Sequence, residues 1–132
     1  MPKRTKSSGA WLNEHVHDTY VKLAQKQGYR ARAAFKLLEI NEKDKLITAD
    51  TVLADLGSAP GSWSQVAMES IGPRGRVFAM DILPMEPVKG VEFIQGDFRD
   101  EEDLQQLVDS LNGQKLDLVI SDIAPTSTGN TV

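Results

Sequence analysis

The stretch Asp55-Leu56-Gly57-Ser58-Ala59-Pro60-Gly61-Ser62-Trp63-Ser64-Gln65 constrains this chain more than any other part of it. The apolar run Thr51 to Ala54 starts on a β-branched residue and ends against an acid. It enters a turn in which Gly57 and Gly61 permit positive φ and close backbone approach, ahead of a helix-like run over residues 63–71. A strand, a glycine turn and a helix N-terminus in that order make a site for an adenosine-bearing ligand. Three later runs also stop at an aspartate: 76–81 at Asp81, 91–97 at Asp97 and 116–122 at Asp122. In a parallel sheet, these acids and Asp55 line one edge, the edge at which open α/β sheets bind ligands.

Around these strands the sequence predicts helices over 19–27 (capped by Asp18, stopped at Gly28), 31–42, 63–71 and 101–111, and strands over 51–56, 76–81, 91–95 and 116–121. The alternation implies an α/β fold, a Rossmann-like parallel sheet with helices on both faces. Only eleven residues follow Ser121, too few for a further helix and strand. An apolar strand placed there leaves a sheet side open, so the chain is expected to be the front part of a larger enzyme whose last strands are missing.

Net charge divides the chain. Residues 1–45 carry ten Lys or Arg against five Asp or Glu, and residues 46–132 carry five against fourteen. The expected organisation is a basic helical segment over 1–45 that meets a polyanion, and a cofactor-binding domain over 46–132. The basic arm Lys3, Arg4 and Lys6 is followed by polar sequence and not by an apolar signal core, no run is long enough to span a membrane, and there is no cysteine. The expected compartment is the cytoplasm. His15 and His17 have no cluster of further ligands around them, so no metal is expected.

Asp81 lies twenty residues after Gly61, where a carboxylate accepts from ribose hydroxyls; NAD and S-adenosylmethionine both satisfy that spacing. Asp97, in Gly96-Asp97-Phe98, is placed to accept from an adenine amino group, and Asp122 stands nearest the glycine turn if the fourth strand lies beside the first. Spacing alone reads Lys36, with Arg32 and Lys43, as a solvated helix stripe.

Five segments taken together resemble the FtsJ/RrmJ family of ribosomal RNA methyltransferases: Trp11 to His15, Gly28 to Ile40, Asp55 to Gln65, Gly96 to Asp100 and Ser121 to Pro125. The resemblance covers nearly the whole chain, in order. It implies 2'-O-ribose methylation of a uridine in large-subunit ribosomal RNA, with S-adenosylmethionine as donor, by a monomer. It also implies that Gly61, Trp63, Asp81, Asp97 and Asp122 bind the cofactor. The family's catalytic set is Lys, Asp, Lys, Glu; Lys36 and Asp122 match its first two members, and the other two would lie beyond Val132. Arg30, Arg32 and the Lys3, Arg4, Lys6 arm are expected to meet RNA phosphates. Ser58 and Ser62 depart from the alanine and glycine more usual in the family. The alternatives are an inactive fragment that binds cofactor or RNA, and a nicotinamide-dependent dehydrogenase; Trp63 and the Ser-Asp-x-Ala-Pro run argue against the latter.

Overall fold

The computed structural model describes residues 19–122. A first helix, α1, covers residues 19–27 and ends where Gly28, at φ +88°, turns the chain. There Gly28 N and Tyr29 N donate to the carbonyls of Gln25 and Ala24. The elements that follow are α2 (Ala34–Asp44), β1 (Val52–Leu56), α3 (Ser62–Ser70), β2 (Arg76–Asp81), β3 (Val91–Gln95), α4 (Glu101–Leu111) and β4 (Leu118–Ser121). The four strands form one sheet in the order β3-β2-β1-β4, all pairs parallel.

Alternation along the strands builds two cores. Leu53, Val77 and Ile120 face α2 and α3, where Ala34, Leu37, Trp63, Val66 and Ala67 cover them. Val52, Ala54, Phe78 and Met80 face the other way, under Leu107 and Leu111 of α4. Residues from the basic front of the chain and from the α/β body thus share one core. Helix α4 is started as the acids around it predict: the Asp100 side chain accepts from Glu102 N and Asp103 N, and Asn112 ends the helix at φ +52°.

Several boundaries differ from the sequence expectation, most of them by a residue or two, and two of the differences have a clear physical cause. Helix α2 begins at Ala34 and not at residue 31, because residues 30–33 turn to follow α3. Gln65 Oε1 takes Arg30 N at 2.9 Å, and the Trp63 indole donates to Ala33 O at 2.8 Å. Strand β4 begins at Leu118 and not at 116, with the Asp117 side chain accepting from Val52 N at 2.8 Å. β4 is the sheet's edge among the described residues, and Val119, on the α4 side, is 53% exposed there. The Asp18 cap lies outside the described residues. No helix among them is long and apolar enough to cross a membrane.

The α3–β2 connection is tight at Gly75, where an added Cβ would stand 2.8 Å from Ile71 Cβ and 2.9 Å from Thr51 O. The Thr51 carbonyl is itself fixed by Arg76 N. Gly75→Ala is expected to destabilise the fold by about 2 kcal/mol, the usual cost of overpacking, measured as a lower midpoint in urea unfolding with an unchanged slope.

Candidate active site

The glycine turn between β1 and α3 is held at each of its peptides. Gly57, at φ +74°, and Ser58 both donate to Met80 O, at 2.7 and 3.1 Å. Ala59 N donates to Asp81 Oδ2 at 2.8 Å. Pro60, joined to Ala59 by a cis peptide bond, has no N–H to give, and its carbonyl accepts from Arg30 Nη1 at 3.0 Å. Gly61, at φ +114°, has its open face against Arg30: a Cβ there would lie 3.0 Å from Nη1 and 3.3 Å from Met85 Sδ. Trp63 is buried, with its ring in the core below the turn.

The register levels the acids. Met80 and Ser121 both pair with Leu56, so Asp81 and Asp122 come one residue later on either side of Gly57, two strand spacings or roughly 10 Å apart. Asp81 is engaged on both oxygens, by Ala59 N and by Leu83 N at 2.9 Å. Each oxygen keeps a second lone pair for a ligand hydroxyl. Asp97 is turned onto Arg99: its Oδ1 accepts from Arg99 N at 2.9 Å and Nε at 3.0 Å. The Arg99 side chain, and then its backbone N–H, hold this carboxyl below the usual range. Phe98 packs beside the α4 core.

Asp55 was legible only as the acid that opens the turn. It lies inside β1, 1% exposed, on the α3 face, and accepts from Ser64 Oγ at 2.8 Å. Burial pushes its pKa up to about 7; the Ser64 bond opposes that shift, and the charges of Asp122 and Asp81 add to it. The sequence signal that marks it is an acid inside a continuous apolar strand with a serine nine residues on, one turn into the next helix.

Two cavities meet here. A small one of about 80 Å³ is lined by Asp55, Gly57, Ser58, Ser62, Trp63 and Asp122. A wider cleft of about 810 Å³ is lined by Tyr20, Tyr29, Arg32, Phe35, Lys36 and, again, Asp122. Lys36 and Arg32 are exposed on its wall. Tyr29 donates to Glu69 at 2.7 Å; burial, then that bond and charge, push its pKa up to about 12, so it serves as a neutral donor and ring. The structure therefore gathers Asp55, Asp122, Lys36, Arg32 and Arg30 around two cavities that share Asp122, and Asp81 stands across Gly57 from Asp122. Asp97 lies further along the edge. Arg30 is engaged by carbonyls, while Lys3, Arg4 and Lys6 lie outside the described residues.

Residues 29–132 match the FtsJ-like methyltransferase family. The chain belongs to that family. Its parallel sheet with flanking helices agrees with a crystal structure of a putative ribosomal RNA methyltransferase from Plasmodium falciparum, at TM-score 0.63 and 31% identity over 77% of this chain and 60% of that one. Among curated FtsJ-like relatives, proteins named ribosomal RNA large subunit methyltransferase E are similar throughout. The one from Neisseria meningitidis serogroup C is 67% identical over the whole chain, which spans 64% of that protein. The one from Chromobacterium violaceum is 66% identical over 96% of the chain and 62% of its own length. The chain thus spans somewhat under two thirds of the relatives it matches.

Asp55 gives this site a pH signature. The folded chain keeps the Asp55 proton up to about pH 7, whereas the unfolded chain loses it at about pH 4. The folded state then binds more protons between these values, so the stability contributed by this group is full below pH 4 and falls as pH rises to 7. Asp55→Asn keeps an acceptor for Ser64 and removes the charge. It is expected to stabilise the chain at pH 8 by up to a few kcal/mol relative to its effect at pH 4, read by urea unfolding at both pH values. An identical pH dependence in variant and parent would show that Asp55 titrates in the folded chain as it does in the unfolded one.

Proposed function

We propose that the protein to which this sequence belongs transfers a methyl group from S-adenosylmethionine to a uridine 2'-oxygen of large-subunit ribosomal RNA. The observation that carries the reading is the double position of Asp122. It lines both the small cavity under the glycine turn and the wide cleft whose wall carries Arg32 and Lys36. A donor held in one and an acceptor held in the other would meet at this carboxylate. Membership of the FtsJ-like family and the relatives named as large-subunit ribosomal RNA methyltransferases support the same chemistry.

The residues suit the donor. The small cavity has room for a charged end and not for a nucleoside, and its two carboxylates, Asp55 and Asp122, favour a cation. Along the sheet edge, the spare lone pairs of Asp81 would accept from ribose hydroxyls, and Asp97 would lie on the adenine side. When bound, the cofactor supplies a methyl group already activated by a positively charged sulfur. The protein's share is alignment and removal of the hydroxyl proton. Asp122 orients the cationic end, and Lys36 faces the cleft where the ribose would lie. A lysine works as a base only when desolvation or a neighbouring cation lowers its pKa; a carboxylate alone raises it. The resemblance pairs Lys36 with a second lysine that has no counterpart in this sequence. Turnover by the 132-residue chain alone is therefore expected to be negligible, even where binding is retained.

Calorimetric titration of the chain with S-adenosylmethionine, with NAD as control, tests the reading. Selective binding of the former is expected, weakened about tenfold or more by Asp122→Asn; preference for NAD would overturn it. On the RNA side, Arg32→Glu is expected to lower RNA affinity and reduce the salt dependence of binding, with cofactor affinity unchanged. RNA binding without cofactor binding would favour a non-catalytic RNA module.

A further inference from the structure

We propose that Arg30 is a positioning residue for the cofactor, acting as a three-carbonyl clamp behind the glycine turn, and not a phosphate contact. This rests on the cofactor reading above and adds a residue to it. The sequence offers Arg30 beside Arg32 as one of two equivalent cations, but the structure separates them. Both line the wide cleft, but Arg32 is exposed there whereas Arg30 is half-buried and its guanidinium is bonded to backbone carbonyls. Its Nη1 donates to the carbonyls of Pro60 and Glu86, and its Nη2 to that of Pro87 at 2.6 Å. Its own backbone N–H is taken by Gln65 Oε1 at 2.9 Å, and Gln65 Nε2 donates to Gly28 O at 3.0 Å.

Three pieces of chain are joined by this one side chain: the segment after α1, the glycine turn, and the loop between β2 and β3. The site needs such a clamp for a local reason. The other peptides of the turn are anchored through their N–H groups, to Met80 O and Asp81 Oδ2. Pro60 has none, so its carbonyl is the only backbone group through which it can be fixed. The glycine on its C-terminal side, at φ +114°, adds freedom where the small cavity needs a rigid wall. A planar, charged fork reaches several carbonyls at once, which a point charge on a flexible stem does not. Three of the guanidinium's five N–H donors are taken by these carbonyls. The same clamp sets the 82–90 loop, which follows directly on Asp81 at the rim of the site.

The test is cofactor affinity and RNA salt dependence in Arg30→Ala and Arg30→Lys, with Arg76→Ala as control. Arg76 pairs with Glu92 at 2.7 Å at the opposite, amino-terminal edge of the sheet, so it reports general destabilisation away from the site. Circular dichroism at the titration temperature establishes that each variant is folded. Arg30→Ala is expected to weaken S-adenosylmethionine binding about tenfold or more, Arg30→Lys to recover only part of that, and Arg76→Ala to leave affinity unchanged. The salt slope of RNA binding is expected to stay at the parent value in Arg30→Ala, whereas Arg32→Ala lowers it by about one. Parent cofactor affinity in a folded Arg30→Ala, or a salt slope reduced as in Arg32→Ala, would overturn the clamp. So would full rescue by lysine, since charge alone would then suffice. Failure of the parent chain itself to bind cofactor is a different result, and removes the functional reading together with this inference.

Discussion

A parallel sheet whose strands end in carboxylates has to hold like charges close together, and the rest of this structure is arranged around that cost. Asp81, Asp97 and Asp122 lie along one edge, with Asp55 just beneath it, and the four have different partners. Asp81 spends an oxygen on each of two backbone N–H groups. Asp97 takes its own cation two residues away. Asp55, which burial deprives of both water and a cation, has only a serine hydroxyl and keeps its proton toward neutral pH. Asp122 stands where the two cavities join. A positively charged ligand would relieve such an edge.

The elements that local sequence controls were legible. β2, β3 and α4 fall on the expected residues, because alternation, a strand-end acid and an Asp100 cap act within a few positions. The start of α2 was not, since the Trp63 indole and the Gln65 side chain, about thirty residues on, capture Ala33 and Arg30. The candidate site divides in the same way. That the acids share an edge with the glycine turn follows from strand order alone. What Trp63, Gly61 and Arg30 touch does not, because each answers to a partner dozens of residues away. Trp63 packs in a core, Gly61 faces a guanidinium, and Arg30 meets carbonyls up to 57 residues distant. Charge and spacing could place Arg30 only beside Arg32, where it reads as a second phosphate contact.

The two cavities are parts of one construction. Residues 28–33 rest on the first turns of α3, and the same turns carry the glycine loop, so the wall of the wide cleft stands on the floor of the small one. Membership of the FtsJ-like methyltransferase family is consistent with the two-sided arrangement on which the proposed function rests. The division of charge fits the same plan, with the cations in front and the acids at the sheet edge.

Segment 28–33 has a further property. It belongs to no strand ladder and precedes the first turn of α2, so the long-range bonds that hold it run through the side chains of Trp63, Gln65, Tyr29 and Arg30. β1, by contrast, is bonded to neighbours on both sides along its length. Side-chain bonds of this kind can be broken while the sheet's ladder stays intact, so the amides of the segment are expected to exchange with solvent before those of β1.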